Sequence, residues 1–184
     1  APSDARGGQI LADITKDRKI KSVAITYTNN DYGKGLADVY EAAVKAHGIK
    51  VTTVTAHEDG KADYSSEVAT LASAGGDAVA VIGYLDQGGK GIIQGSLDSG
   101  AFDKFILSDG MIGDSLTDAF GKDLNKSFGS MPGSMNKKTA GTFASVAKAA
   151  GIDSSGPYTG ESYDAGALIV LAMQAGGSAD RASI

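Results

Sequence analysis

Three strand-like runs in this chain each end in a glycine-containing loop that carries an aromatic or acidic residue. Residues 21–27 lead into Asn29, Asn30, Asp31, Tyr32, Gly33, Lys34 and Gly35. Residues 78–82 lead into Gly83, Tyr84, Leu85, Asp86, Gln87, Gly88 and Gly89, and residues 104–107 lead into Ser108, Asp109 and Gly110. Strands that each feed a tight turn and then a helix specify an α/β fold with a parallel sheet, covered on both faces and joined by right-handed crossovers. In such a sheet ligands bind in the crevice beyond the carboxyl ends of the strands. Adjacent parallel strands would therefore bring Tyr32, Tyr84 and Asp109 to one rim.

The helical periods support the alternation. Leu36, Val39, Tyr40, Ala43, Val44 and His47 recur at one-face spacing and stop at Gly48, an amphipathic helix with a glycine end. Ile10, Leu11 and Ile14 mark a helix over 4–16 behind a Ser3 or Asp4 cap. Residues 50–55 form a second strand and 57–61 a polar loop that leaves His57 solvated. Asp63 then caps a helix bearing Tyr64, Val68, Leu71 and Ala72. Further helices fall near 90–99 and over 115–120, with Ser115 as a cap. The 26 glycines, about double the usual share, lie between these periodic segments and so read as turns rather than disorder.

The pattern changes near Phe128. Residues 129–135 read as a loop, no strand pattern follows, and two helices remain at about 138–150 and 162–175. The second is apolar almost all round, which requires partners on most sides. The division expected is a doubly wound sheet domain at 1–128, a hinge-like segment at 129–135 and a helical segment at 136–184. The chain begins without methionine and closes on Ser178, Ala179 and Asp180, the cap of an undeveloped helix. It therefore reads as a piece of a longer protein. An apolar helix parted from its partner can swap between copies, so self-association is expected.

Catalytic templates fit poorly. In Gly33, Lys34, Gly35, Leu36, Ala37, Asp38 an aspartate takes the third glycine position of a dinucleotide fingerprint. In the run from Gly83 to Gly91, Gly89 stands where a phosphate-binding loop needs lysine. There is no G-x-S-x-G elbow, and His47 and His57 are the two histidines. His47 lies on the apolar stripe near a helix C-terminus, where the helix dipole favours it. No metal-ligand spacing occurs, and with no cysteine the chain has neither thiolate ligands nor thiol nucleophiles. A net charge of −5 argues against nucleic acid as the main partner. No catalytic residue, metal or cofactor is therefore expected. Two phenol rings and a carboxylate suit a small ammonium-bearing molecule, through a charge-assisted hydrogen bond and ring contacts to an aliphatic group. Taken singly, Tyr32 and Tyr84 could be edge-packing aromatics and Asp109 a turn residue.

At these residues the chain resembles the extracytoplasmic substrate-binding proteins of branched-chain amino acid ABC transporters, of the leucine/isoleucine/valine-binding type. The matching stretches include Asn30-Asp31-Tyr32-Gly33-Lys34-Gly35-Leu36, Asp63-Tyr64-Ser65-Ser66, Ser108-Asp109-Gly110 and Gly156-Pro157-Tyr158. They run in order along nearly the whole chain, and their order and spacing are more specific than any one of them. The resemblance implies a two-lobed, periplasmic-binding-protein-like fold that closes on its ligand. Residues 1–128 would be the second lobe, 129–135 a crossover, and 136–184 part of an otherwise missing first lobe. It implies that Tyr32 and Tyr84 line the ligand side, that Asp109 holds the α-ammonium, and that Tyr158 approaches the ligand side chain. It further implies an amino acid ligand, an ABC permease as partner and a periplasmic or other extracytoplasmic location. Relatives often carry Pro and Glu where this chain has Leu85-Asp86-Gln87-Gly88-Gly89, so side-chain specificity is not transferable. Two other readings share the fold: the sensing domain of a transcriptional regulator or receptor, and a doubly wound flavin or nucleotide enzyme.

Overall fold

The computed structural model describes residues 3–133, 137–154, 156 and 158–182. The chain divides into two compact units, one ending at Met131 and the other beginning at Pro132. In the first unit α1 (Asp4–Asp17) precedes β1 (Ser22–Thr28), α2 (Asp31–Ala46), β2 (Lys50–His57) and α3 (Ser65–Ala74). Then come β3 (Ala78–Ile82), α4 (Gly89–Ser99), β4 (Phe105–Leu107), α5 (Asp114–Phe120) and β5 (Phe128–Gly129). The five strands pair in the order β2-β1-β3-β4-β5, every pairing parallel.

β3 shows why this sheet must be covered twice. All five of its residues are buried, and they alternate between two cores. Ala78, Ala80 and Ile82 join Leu11, Tyr40 and Val44 on the face of α1 and α2. Val79 and Val81 join Leu71, Ile92, Ile93 and Phe105 on the face of α3 and α4. A period of two, apolar at both phases, is the signature of a strand with helices above and below.

Local chemistry sets the ends of α2. Asn30 is extended, and its side-chain oxygen accepts the Gly33 N–H at 2.8 Å, satisfying one free amide of the first turn. Gly48, at φ 75°, lets the chain leave the last turn in the left-handed region.

Several expectations need correcting. His57 is the last residue of β2, not part of a solvated loop, and is 1% exposed. β2 runs two residues further than its apolar pattern suggests because Tyr27 and Thr28 continue the ladder against Ala56 and His57. Tyr64, not Asp63, occupies the position before α3, while Asp63 accepts the backbone N–H and hydroxyl of Ser65. Gly113 takes that place before α5, with no side-chain cap from Ser115. β5 was not expected: its two residues are too few to show a period, and it exists because Phe128 and Gly129 pair with Ile106 and Leu107.

The second unit contains α6 (Lys137–Ala149) and α7 (Thr159–Gly176). Phe143 and Tyr163 hold these helices together with ring centroids 5.4 Å apart. Leu168, Ile169, Val170 and Leu171 of α7 are each more than half exposed. Of the expected crossover, Ser134 and Met135 lie outside the described residues, as does Pro157 of the Gly-Pro-Tyr stretch.

Candidate ligand-binding site

Strand order decides what can meet. The chain steps from β1 outward to β2, then returns past β1 to β3 and continues to β4. The reversal between β1 and β3 leaves a crevice at their carboxyl ends, where the connections diverge to opposite faces. Tyr27 stands level with Ile82, and Val81 with Leu107, so the loops after β1, β3 and β4 emerge side by side.

Tyr32 sits in the first turn of α2, aimed across that crevice. Its hydroxyl donates to Asp109 Oδ1 at 2.6 Å, joining residues 77 apart in the chain. A longer contact of 3.3 Å reaches Ser108 Oγ. The Tyr84 ring stacks on Tyr32 with centroids 5.4 Å apart and planes inclined at 28°, an offset arrangement that suits the ring quadrupoles. All three side chains are half-buried. Burial, and after it the bond to Asp109, pushes the Tyr32 phenol far above its usual range. Tyr32 is thus a neutral hydroxyl donor throughout the physiological range, facing a carboxylate.

Two glycines make this approach possible. A Cβ on Gly33 would lie 2.1 Å from the Thr28 carbonyl oxygen, and one on Gly110 would lie 2.4 Å from that of Gly83. Side chains at either position would drive a rim loop off its neighbour.

The structure therefore joins Tyr32, Tyr84 and Asp109 in one cluster. Tyr158 belongs to the second unit, immediately before α7 at φ 64°, a left-handed conformation unusual for a tyrosine.

Three further residues shape the rim. Ser108, 1% exposed, accepts the Gly83 N–H at 3.2 Å, and its place beside Asp109 was the one clue in the sequence. Tyr64 braces the next loops: its hydroxyl lies 2.9 Å from the carbonyls of both Glu58 and Gln87 and accepts the Lys61 N–H at 3.2 Å. His57 packs beneath Gly83, with Nδ1 2.9 Å from Thr26 Oγ1 and Nε2 buried without a hydrogen-bond partner. Burial holds the His57 ring below its ordinary pKa. The other histidine, His47, ends α2 with Nε2 2.7 Å from Asp13.

Among the described residues no cluster of three or more histidine or acidic side chains could hold a metal. None of the described helices is long and apolar enough to cross a membrane. The cluster offers a carboxylate, a neutral hydroxyl and two aromatic faces. These groups can hold a small cationic or aliphatic molecule.

Leu/Ile/Val-binding protein homolog 1 of Brucella melitensis biotype 1 is 29% identical over 174 residues, 94% of this chain and 46% of its own length. The chain spans about half the length, or less, of the curated relatives it matches. Its backbone follows a periplasmic binding protein type 1 from Bordetella pertussis Tohama I with a TM-score of 0.79 at 22% identity. That match covers 98% of this chain and 52% of the other. A leucine-binding protein from Thermotoga maritima gives a TM-score of 0.76 at 20% identity, over 98% of this chain and 52% of that one. These two likenesses show the fold: a parallel α/β sheet of the type I periplasmic binding protein kind. The sequence model of the periplasmic binding protein family matches residues 2–184, essentially the whole chain, and the chain belongs to that family.

Proposed function

We propose that the protein is an extracytoplasmic solute-binding protein that captures an aliphatic, branched-chain amino acid by hinge closure and delivers it to an ABC transporter permease. The observation that carries this reading is the junction of Tyr32, Tyr84 and Asp109 at the sheet's switch point. A relative named for binding Leu, Ile and Val supports the choice of ligand. In this reading residues 1–128 form the second lobe, 129–135 a crossover, and 136–184 helices of the first lobe. The exposed apolar residues of α7 are then surface that the rest of the first lobe covers.

Asp109 receives the ligand's ammonium group, and the tyrosine rings flank its side chain. Tyr158 is the fourth ligand-binding residue of this reading, and it rests on the family resemblance alone. The ligand's carboxylate is gripped by first-lobe residues beyond this chain. Closing the cleft expels water, which strengthens the ammonium–carboxylate hydrogen bond. Contacts that exist only in the closed form shift the population toward it, and that form is the one a permease recognises.

The test is calorimetry of the full-length protein against a panel of amino acids. A hydrogen bond to a charged group is worth about 1.5–3 kcal/mol, so Asp109→Ala should weaken a leucine-type ligand by about 10–150-fold. Wild-type protein that binds leucine no more tightly than glutamate refutes the ligand class. Equal affinity in Asp109→Ala refutes the ammonium assignment.

A further inference from the structure

Ser108 directly follows β4 with its side chain shut off from solvent, although it belongs to a rim loop. Its hydroxyl oxygen reaches across two loop boundaries. It accepts the Gly83 N–H at 3.2 Å at the end of β3, and it lies 3.3 Å from the Tyr32 hydroxyl at the start of α2. The next residue, Asp109, takes the stronger bond from the same hydroxyl. Three connections therefore converge on one oxygen atom. Around it the backbone is packed to contact: Gly110 lies against the Gly83 carbonyl, and Tyr84 follows Gly83 directly. Gly83 is itself buried, so without that oxygen its amide would be left without an acceptor, a costly state for a buried group.

We propose that Ser108 is a positioning residue of the binding rim: its hydroxyl oxygen fixes the Tyr32 phenol and the Gly83–Tyr84 backbone relative to Asp109, so that the carboxylate and stacked rings are assembled before ligand arrives. Ser108 acts through Tyr32 and Tyr84 and does not touch ligand. Preassembly matters because a rim that must be ordered on binding spends part of its contact energy on that ordering. This inference rests on the reading of the rim as the ligand side.

A double-mutant cycle in the full-length protein tests it, with leucine as the probe and Kd from calorimetry. Losing one shared acceptor in a buried network should weaken binding by about tenfold in Ser108→Ala. Tyr32→Phe should also weaken it, and the double variant should fall within about twofold of the weaker single variant, because both changes break one unit. Unaltered affinity in Ser108→Ala, or single effects that simply multiply, overturns the proposal.

A second readout separates this inference from the ligand assignment. Amide exchange by NMR should find Gly83 protected in wild type, and selectively deprotected in Ser108→Ala while the other β3 amides keep their protection. If wild type ignores leucine, the solute reading fails in its leucine form and the Gly83 amide alone decides the role of Ser108. Fast Gly83 exchange in wild type, or unchanged protection in Ser108→Ala, overturns it whatever the ligand.

Discussion

Two glycines in the first turns of α2 should respond to alanine with opposite signs. A Cβ on Gly33 would lie 2.1 Å from the Thr28 carbonyl oxygen and 2.7 Å from Thr28 Cγ2. Thr28 cannot retreat freely, because it is paired with His57 at the end of the β1–β2 ladder. Overpacking of this kind costs about 1–3 kcal/mol. The helix shift that relieves part of the clash also takes the Gly33 N–H from Asn30 Oδ1, and that lost N-cap bond adds about 1 kcal/mol. The better helix propensity of alanine returns a little under about 1 kcal/mol. The net loss for Gly33→Ala is therefore about 1–3 kcal/mol, a fall in Tm of roughly 3–15 °C for a unit this size. At Gly35, two residues on, a Cβ meets nothing within 4 Å. Gly35→Ala should gain about 0.5–1 kcal/mol from reduced backbone entropy alone. Thermal melts followed by circular dichroism, with urea unfolding for the free energies, measure both. The shift of Tyr32 away from Asp109 is read separately from its NMR ring signals. If Gly33→Ala matches or exceeds wild-type stability, the argument from close approach is wrong, and with it the account of how Tyr32 is aimed.

Other outcomes follow from the same structure. The buried His57 ring has its pKa held low in the fold, so the unfolded chain takes up the proton first as pH falls through about 6.5. Stability present above that pH should be lost progressively below it, and His57→Gln should flatten the profile of urea-unfolding free energy between pH 7.5 and 5; an unchanged slope excludes His57 as the cause. Tyr40→Phe removes a buried hydroxyl 2.9 Å from Thr15 Oγ1, but Thr15 keeps its bond to the Leu11 carbonyl. That should cost about 1 kcal/mol by chemical denaturation, and a cost above about 3 kcal/mol would point to an unpaired buried group instead. Phe105→Ala empties a fully buried site in the short strand β4, with an expected loss of about 3–5 kcal/mol. A loss under about 1 kcal/mol would mean that this face of the sheet repacks freely.

Sequence was informative wherever a physical cause is local. Helical period and the glycine stops located α1 through α4 to within one or a few residues, since amphipathic spacing and left-handed C-termini leave marks on adjacent residues. The alternation of strand, turn and helix implied cover on both faces, and β3, buried at all five residues, has it. Cap assignments fared worse, because Asp63 and Ser115 have the right chemistry while their neighbours' backbones take the capping position. His57 shows a different limit. A polar residue flanked by Glu58 and Asp59 looks solvated until Thr26 of β1 and Gly83, just beyond β3, are seen to enclose it.

The chain by itself determined that Tyr32, Tyr84 and Asp109 each follow a strand, because strand and turn propensities act over a few residues. Only the tertiary structure decided that the three touch, that Ser108 lies among them and that His57 packs beneath Gly83. Contact across 77 residues depends on the order in which strands pair, which the packing of the whole sheet selects and no short segment encodes.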